Sequence, residues 1–552
     1  MKKGKLLGLM AVSTTLLAAC TTGDTADSGE DGGSNGANGE QVFNLSVEQE
    51  MPSADLSLAT DTISFTALNN VYEGIYRLDE NDDPQPAGAA EMAEVSEDGL
   101  TYNIKLREDA NWSNGDPVTA DDYVYGWQRT ADPATGAEYA YLYGYVENGD
   151  EVIEGDKEPS ELGIEAIDDH ELEITLDTPT PFFDYLLAFP SFFPQPQDIV
   201  EENGDDYAST GDDSVYNGPF ALTEFDGAGS DTEWSYTAND EYWDKDNVNL
   251  DEINVSVVKE SSTGLNLFND GQTDDVLLTG ELAQQNANNP EYQSIKEART
   301  SYIELNQEEE DSPFNNKDLR LALSYALDRE ALVEQVLGDG SQPSTNLVPE
   351  ETGKDLDTDE DFTEVSDSTL EYDPDKAQEH WEKAKDELGV DSLEFDLLSD
   401  DQDGAKQVAE YIQGAWEDLD GLNVSSTTVP FSVRLDRGTA GDFEALVGGW
   451  GADYADPSSF TDLFQTENSY NHGSWSNDEY DELIEAASTT HANEPEERFQ
   501  DLIEAEGVIN EEMGVIPVYQ KAQGHMISDK VNGIVSHSAG AKYDYKWVTI
   551  EE

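Results

Sequence analysis

NVYEGIYRLDENDDPQPAGAAEMAEVSEDGLTYNIKLREDANWSNGDPVTADDYVYGWQRTADP, residues 70–133, holds the two periodicities that set the fold class. In LTYNIKL (100–106), Tyr102, Ile104 and Leu106 alternate with polar neighbours, the period of a half-buried strand. Asn114-Gly115 marks a tight turn. Thr119, with Asp122 three residues later, then reads as a helix start ahead of YVYGWQR. Strand, turn and capped helix in this order predict a mixed α/β chain.

The same grammar continues outward. ELEITL (171–176) and INVSVV (253–258) repeat the strand alternation. KDLRLALSYAL (317–327) reads as a helix, and Asp328 as the cap of a second one that ends at Gly338. DPDKAQEHWEKAKDELG (373–389) has proline in its first turn and glycine at its end. EYDELIEAA (479–487) and EERFQDLIEAEGVI (496–509) complete the helices, and the acidic stretch 350–372 reads as a surface loop. No strict βαβ repeat is present, so the pattern predicts an α/β architecture of several lobes. A chain of 552 residues is also too long for one core.

Composition narrows the partners. Lys and Arg total 27 against 123 Asp and Glu, a formal net charge of −96. Such a surface repels nucleic acid and anionic lipid. The acid is spread along the chain, which points to adaptation to salt, where screening shortens to ~3 Å at 1 M; a cationic partner is the alternative. The single cysteine, Cys20, excludes an internal disulfide. It closes MKKGKLLGLMAVSTTLLAAC, in which Lys2, Lys3 and Lys5 precede an apolar run too short to span a bilayer. This stretch resembles a bacterial lipoprotein signal, which implies lipidation of Cys20 and anchoring to the outer face of the cell membrane. Residues 21–40 read as a flexible tether reaching ~25 Å.

Chemistry is scarce. The six histidines show no metal-ligand spacing, and DDQDG (400–404) lacks the acidic residue that would complete a calcium loop. No nucleophile elbow, phosphate loop or dinucleotide fingerprint stands in a suitable context. The sequence therefore nominates no catalytic residue, metal or cofactor.

GGWGADYADPSSF (448–460) concentrates what remains. Gly448, Gly449 and Gly451 surround a single tryptophan there. On the residues alone, Asp453 reads equally as a turn residue before Asp456-Pro457 or as an acceptor for a ligand, with Trp450 as core.

Taken in order, 70–133, GIEAIDDHELEITLDTPTPFF (163–183), NGPF (217–220), YWDKDNVNLDEI (242–253), PFNNKDLRLALSYALDRE (313–330), GWGADYADPSSF (449–460) and VIPVYQ (515–520) resemble the solute-binding proteins of peptide ABC importers, in their oligopeptide-binding branch. The resemblance covers residue 41 to the end. It implies a two-lobed periplasmic-binding-protein-like fold of class II with an extra inserted domain. Lobe I would comprise 41–78, 205–300 and 521–552, the inserted domain 79–204 and lobe III 301–520, with hinge crossings near Thr300 and Lys521.

The resemblance also implies a monomeric, non-enzymatic receptor that delivers oligopeptides to the permease. Alternatives on the same fold are a receptor for a nickel complex, haem or dipeptide, or a peptide-sensing signalling lipoprotein. Asp453 would receive the peptide α-ammonium, and Gly449, Trp450 and Gly451 would pair with its backbone, Gly448, Gly449 and Gly451 letting it come close. Glu48 to Met51, with Glu50 and Met51 as the ligand contacts, would supply the opposing edge, Glu304 the side-chain pockets, and Tyr139 and Tyr141 a wall from the inserted domain. Relatives that clamp a short peptide's carboxylate carry arginine where Val447 stands, so no fixed grip on that end is expected. Arg434 and Arg437 are expected to pair with Asp436, and Trp475 to be structural.

Overall fold

The computed structural model describes residues 41–354, 360–366 and 371–551. Cys20, its preceding apolar run and the 21–40 tether lie outside the described residues.

Among the described residues, one large sheet runs in the order Leu422–Val429, Leu393–Asp400, Ala445–Gly451, Tyr292–Leu305, Ile516–Ile527, Asp275–Leu278, Val42–Val47, Glu252–Val257, Glu233–Ala238 and Phe220–Thr223, with Gln342–Pro343 pairing onto Ile516–Ile527. The two long central strands hold its halves together. They pair antiparallel from Tyr292↔Met526 to Ile303↔Ile516, with register shifts between Lys296 and Thr300 and between Ser301 and Tyr302. The residues expected as hinge crossings, Thr300 and Lys521, fall in this irregular region. Such shifts bend and twist a strand locally.

A separate sheet joins Glu94–Val95, Thr101–Lys105, Glu171–Thr175 and Ile164–Asp168. Its alternation follows the sequence, with Ile104 and Leu172 both 0% exposed. The helix Ala120–Ala131 packs nearby, opened by the reciprocal Thr119/Asp122 cap. Trp127 in this helix is wholly buried and donates its indole N–H to the Phe192 carbonyl at 2.9 Å.

Several helices lie where their caps predict. Asp373 caps Pro374–Leu388, which stops at Gly389 with φ +69°. Asp328 does cap a helix, but only Arg329–Ala331 is α-helical. Leu332–Leu337 widens into a π-turn before Gly338 at φ +61°. Likewise Asp478–Glu485 is α-helical and Ala486–Thr490 is π. The 350–372 stretch is not simply a surface loop. Asp361 caps the short helix Phe362–Val365, and Phe362 is 0% exposed against Phe499, ring centroids 5.4 Å apart. One aromatic residue outweighs the acidic composition around it.

Candidate functional site

The strand Ala445–Gly451 has two unlike edges. One pairs along its length with Tyr292–Leu305, from Leu305↔Ala445 to Arg299↔Gly451. The other meets Leu393–Asp400 only at Ala445 and Leu446, so from Val447 onward no strand covers it among the described residues. A Cβ on Gly449 would sit 2.8 Å from the Thr300 carbonyl oxygen, whereas at Gly448 and Gly451 the nearest atoms would be 3.8 and 3.7 Å away. Only Gly449 is sterically required, and by its own sheet neighbour; the reading that all three glycines admit a second backbone narrows accordingly.

Beyond this strand, Asp453 is 6% exposed. Its Oδ1 accepts from the Tyr139 hydroxyl at 3.0 Å and its Oδ2 from the Tyr141 hydroxyl at 3.5 Å, while its backbone N–H donates to Ser459 Oγ at 2.8 Å. Burial pushes its carboxyl up to about 8, against the two tyrosine hydrogen bonds, which favour the charged form. Trp450 stacks on Tyr139 at 5.9 Å and meets Tyr470 edge-on at 4.5 Å.

These groups wall a chamber of about 660 Å³, partly open to solvent. Unpartnered polar atoms gather on it: Asp61 Oδ2, Trp450 Nε1, the Tyr470 hydroxyl and His472 Nε2 are all buried without a hydrogen bond among the described residues. Each such orphan costs about 1–3 kcal/mol. Together they leave this wall with an unmet demand for polar partners. Glu304 lies on the same wall, 4% exposed, accepting from the Gly473 N–H at 3.0 Å and facing His472 Nδ1 at 3.3 Å. Burial disfavours the charged form of His472, but the Glu304 carboxylate outweighs it and holds the imidazole above its ordinary value.

Two further chambers, about 860 and 870 Å³, adjoin the first; Arg299 and Phe431 line all three. On the opposing side it is Glu48 and Gln49 that reach these chambers. Glu50 turns away and pairs with Lys259 at 2.9 Å, and Met51, 1% exposed, belongs to the core. Of the Glu48 to Met51 stretch expected as the opposing edge, the first two residues line the chambers. Tyr139 lines the Asp453 chamber, while Tyr141 reaches it only through its hydroxyl.

Arg434 pairs with Asp400 at 3.1 Å and Arg437 with Asp442 at 3.0 Å, so Asp436 is the partner of neither. Asp456 accepts from the Ser458 N–H at 3.0 Å, as a turn residue does, and also pairs with Arg498 at 2.7 Å. Trp475 is buried core. Asp61, Arg299, Phe431, Tyr470 and His472 were not selected from sequence. The one available signal was the scarcity of arginine in so acidic a chain.

The model of bacterial extracellular solute-binding proteins, family 5, matches residues 83–472. A dipeptide-binding protein of Lactococcus lactis subsp. cremoris is 36% identical over 99% of both chains. Among solved structures, Listeria monocytogenes OppA bound to peptide superposes with a TM-score of 0.90 at 41% identity, covering 93% of this chain and 100% of that one. The substrate-binding domain of an oligopeptide ABC transporter from Bacillus anthracis gives 0.90 at 40% identity, covering 93% and 99%.

Proposed function

Since the chain belongs to the bacterial extracellular solute-binding proteins of family 5, we propose that it captures oligopeptides outside the cytoplasm and hands them to an ABC importer. It is a binding receptor and not an enzyme. The observation that carries the peptide reading is the Asp453 chamber, where an uncovered strand edge and several orphaned polar atoms meet one buried carboxylate.

An extended peptide has the matching groups. Its backbone pairs with the free edge from Val447 to Gly451, a strand addition that reads no side chains. Its α-ammonium replaces the tyrosine hydroxyls at Asp453 with charge-assisted hydrogen bonds, stronger than neutral ones. Trp450 Nε1 is free to donate to a guest carbonyl, and Asp61 Oδ2 to accept a guest N–H. Three chambers in contact suit a chain of residues better than a single dipeptide. Glu304 and His472 then polarise one side-chain subsite.

The test is calorimetric titration with free and N-acetylated forms of the same peptides. Free peptides bind and acetylated ones do not, and Asp453→Ala weakens binding by about 3–5 kcal/mol, as when one member of a buried charge pair is lost. Equal binding of both forms refutes the anchor.

The boundaries 41–78, 205–300 and 521–552 for lobe I, 79–204 for the inserted domain and 301–520 for lobe III complete the reading, as do a monomeric state and a lipid anchor at Cys20. Cys20→Ser releases the protein into the medium if the anchor is correct; retention on the membrane refutes it.

A further inference from the structure

The peptide reading leaves two cations in the cleft unexplained. In a chain with 27 basic and 123 acidic side chains, a base should never lack a partner. The fully buried ones obey this. Arg77 pairs with Asp544, Arg434 with Asp400, Lys542 with Glu297 and Lys546 with Asp244. Arg320 and Arg329 donate to backbone carbonyls. Arg299 and Lys521 do not: half-buried on the cleft wall, neither makes a side-chain hydrogen bond or ion pair with any described residue.

The neighbouring acids do not close ion pairs with either cation. Glu297 accepts from Lys542; burial disfavours its charge, but Lys542, Lys521 and Arg299 together hold it below its ordinary value, so one carboxylate faces three cations. Asp339 accepts from the Ser341 N–H at 3.0 Å. Burial raises both Glu48 and Asp339 above their ordinary values, toward the neutral form, although Lys521 opposes this. Arg299 stands opposite Gly451 in the sheet, two residues short of Asp453. Lys521 lines the adjoining chamber together with Val447 and Gly448, the far part of the free edge. A guest laid along that edge from Asp453 therefore passes both cations. Half-desolvated, unpaired cations in a cleft are unfavourable until an anion arrives.

We infer that Arg299 and Lys521 form a carboxylate site within the cleft, which takes an acidic group of the bound peptide. This rests on the peptide reading above. The carboxylate has two possible sources, the peptide's own C-terminus or a Glu or Asp side chain, and either would be gripped by residues remote from position 447.

Calorimetry with alanine peptides of two to six residues, as free acids and C-terminal amides, separates the sources when combined with alanine hexapeptides carrying one Glu or one Gln at each inner position. If the terminus is the source, amidation weakens binding at least tenfold at one length. If a side chain is, Glu binds at least tenfold tighter than Gln at one position. In both cases the discrimination falls below about threefold in Arg299→Gln/Lys521→Gln and survives in the charge-retaining Arg299→Lys. Wild-type protein that binds free-amine peptides but ignores both exchanges overturns this site and leaves the peptide reading intact. So does a preference that persists in the double variant. Failure to bind any peptide overturns both.

Discussion

Asp453 ties binding to protons. Its carboxyl is pushed up to about 8 by burial, so below that pH it is held largely neutral. A guest ammonium needs the charged form, so capture expels a proton. Affinity for a free peptide should rise from pH 6 toward 8 by up to about tenfold per unit, then fall as the peptide's own amine, near 7.7–8.0, loses its charge. Titration in buffers of different ionisation heat should register close to one proton released at pH 6, and Asp453→Asn should abolish the rise. Stability runs the other way. A carboxyl whose folded value is raised above its unfolded ~3.9 adds stability that is complete below that pH and lost as pH climbs through about 8. Unfolding of the empty receptor should therefore show a decline over this window that Asp453→Asn flattens. At this scale the sequence was only half legible. Asp453 stood in a sparse motif of glycines and one tryptophan. Arg299 sits in ordinary strand sequence, and its isolation is a property of three chambers meeting.

The strand Ala445–Gly451 is held by what one side cannot accommodate. Gly449→Ala drives a methyl to 2.8 Å from the Thr300 oxygen, which belongs to a rigid ladder and cannot yield. Chemical unfolding should show a loss of about 1–3 kcal/mol, the usual cost of overpacking. Gly448→Ala, with 3.8 Å to its nearest neighbours, should unfold like the parent. In the smaller sheet's helix, Thr119→Ala removes half of the reciprocal cap at a cost of about 0.5–2 kcal/mol. End signals explain why helices were the most legible elements: Asp328 and Thr119 as caps, and Pro374 and Gly389 as start and stop, announce themselves locally. The π-turns after Ala331 and Glu485 gave no such notice, since side-chain period barely separates them from α-helix. Glu50 and Met51 came from the family resemblance, which matches a stretch but does not report which side chains in it turn to the cleft; Glu50 pairs with Lys259 and Met51 is core.

Across the whole molecule, a net charge of −96 sets the conditions for folding. Screening contracts from ~10 Å at 0.1 M salt to ~3 Å at 1 M. Thermal midpoints should rise over this range, and more steeply than for Asp/Glu-to-Asn/Gln surface variants. The charge bears on closure too. Lys259 joins Glu50 at 2.9 Å to Asp401 at 2.9 Å, fastening the first strand's end to the loop before Asp403–Glu417. Lys259→Ala leaves two acids facing each other, and scattering should report a larger radius for the unliganded protein at low salt. The two-lobed architecture was legible because many short segments kept their family order. The continuous sheet through Tyr292–Leu305 and Ile516–Ile527 was not, because these strands are far apart in the chain and local periodicity does not report their pairing.

The two tyrosine hydroxyls at Asp453 have a last implication. They act as an internal counterfeit of cargo, quieting the anchor when nothing has been caught. With those hydroxyls in place the anchor carboxylate is never bare, and a membrane machine that judged its courier by outline alone would admit empty deliveries. The distinction between full and empty must be carried by something other than shape, such as the proton that leaves when real freight comes aboard.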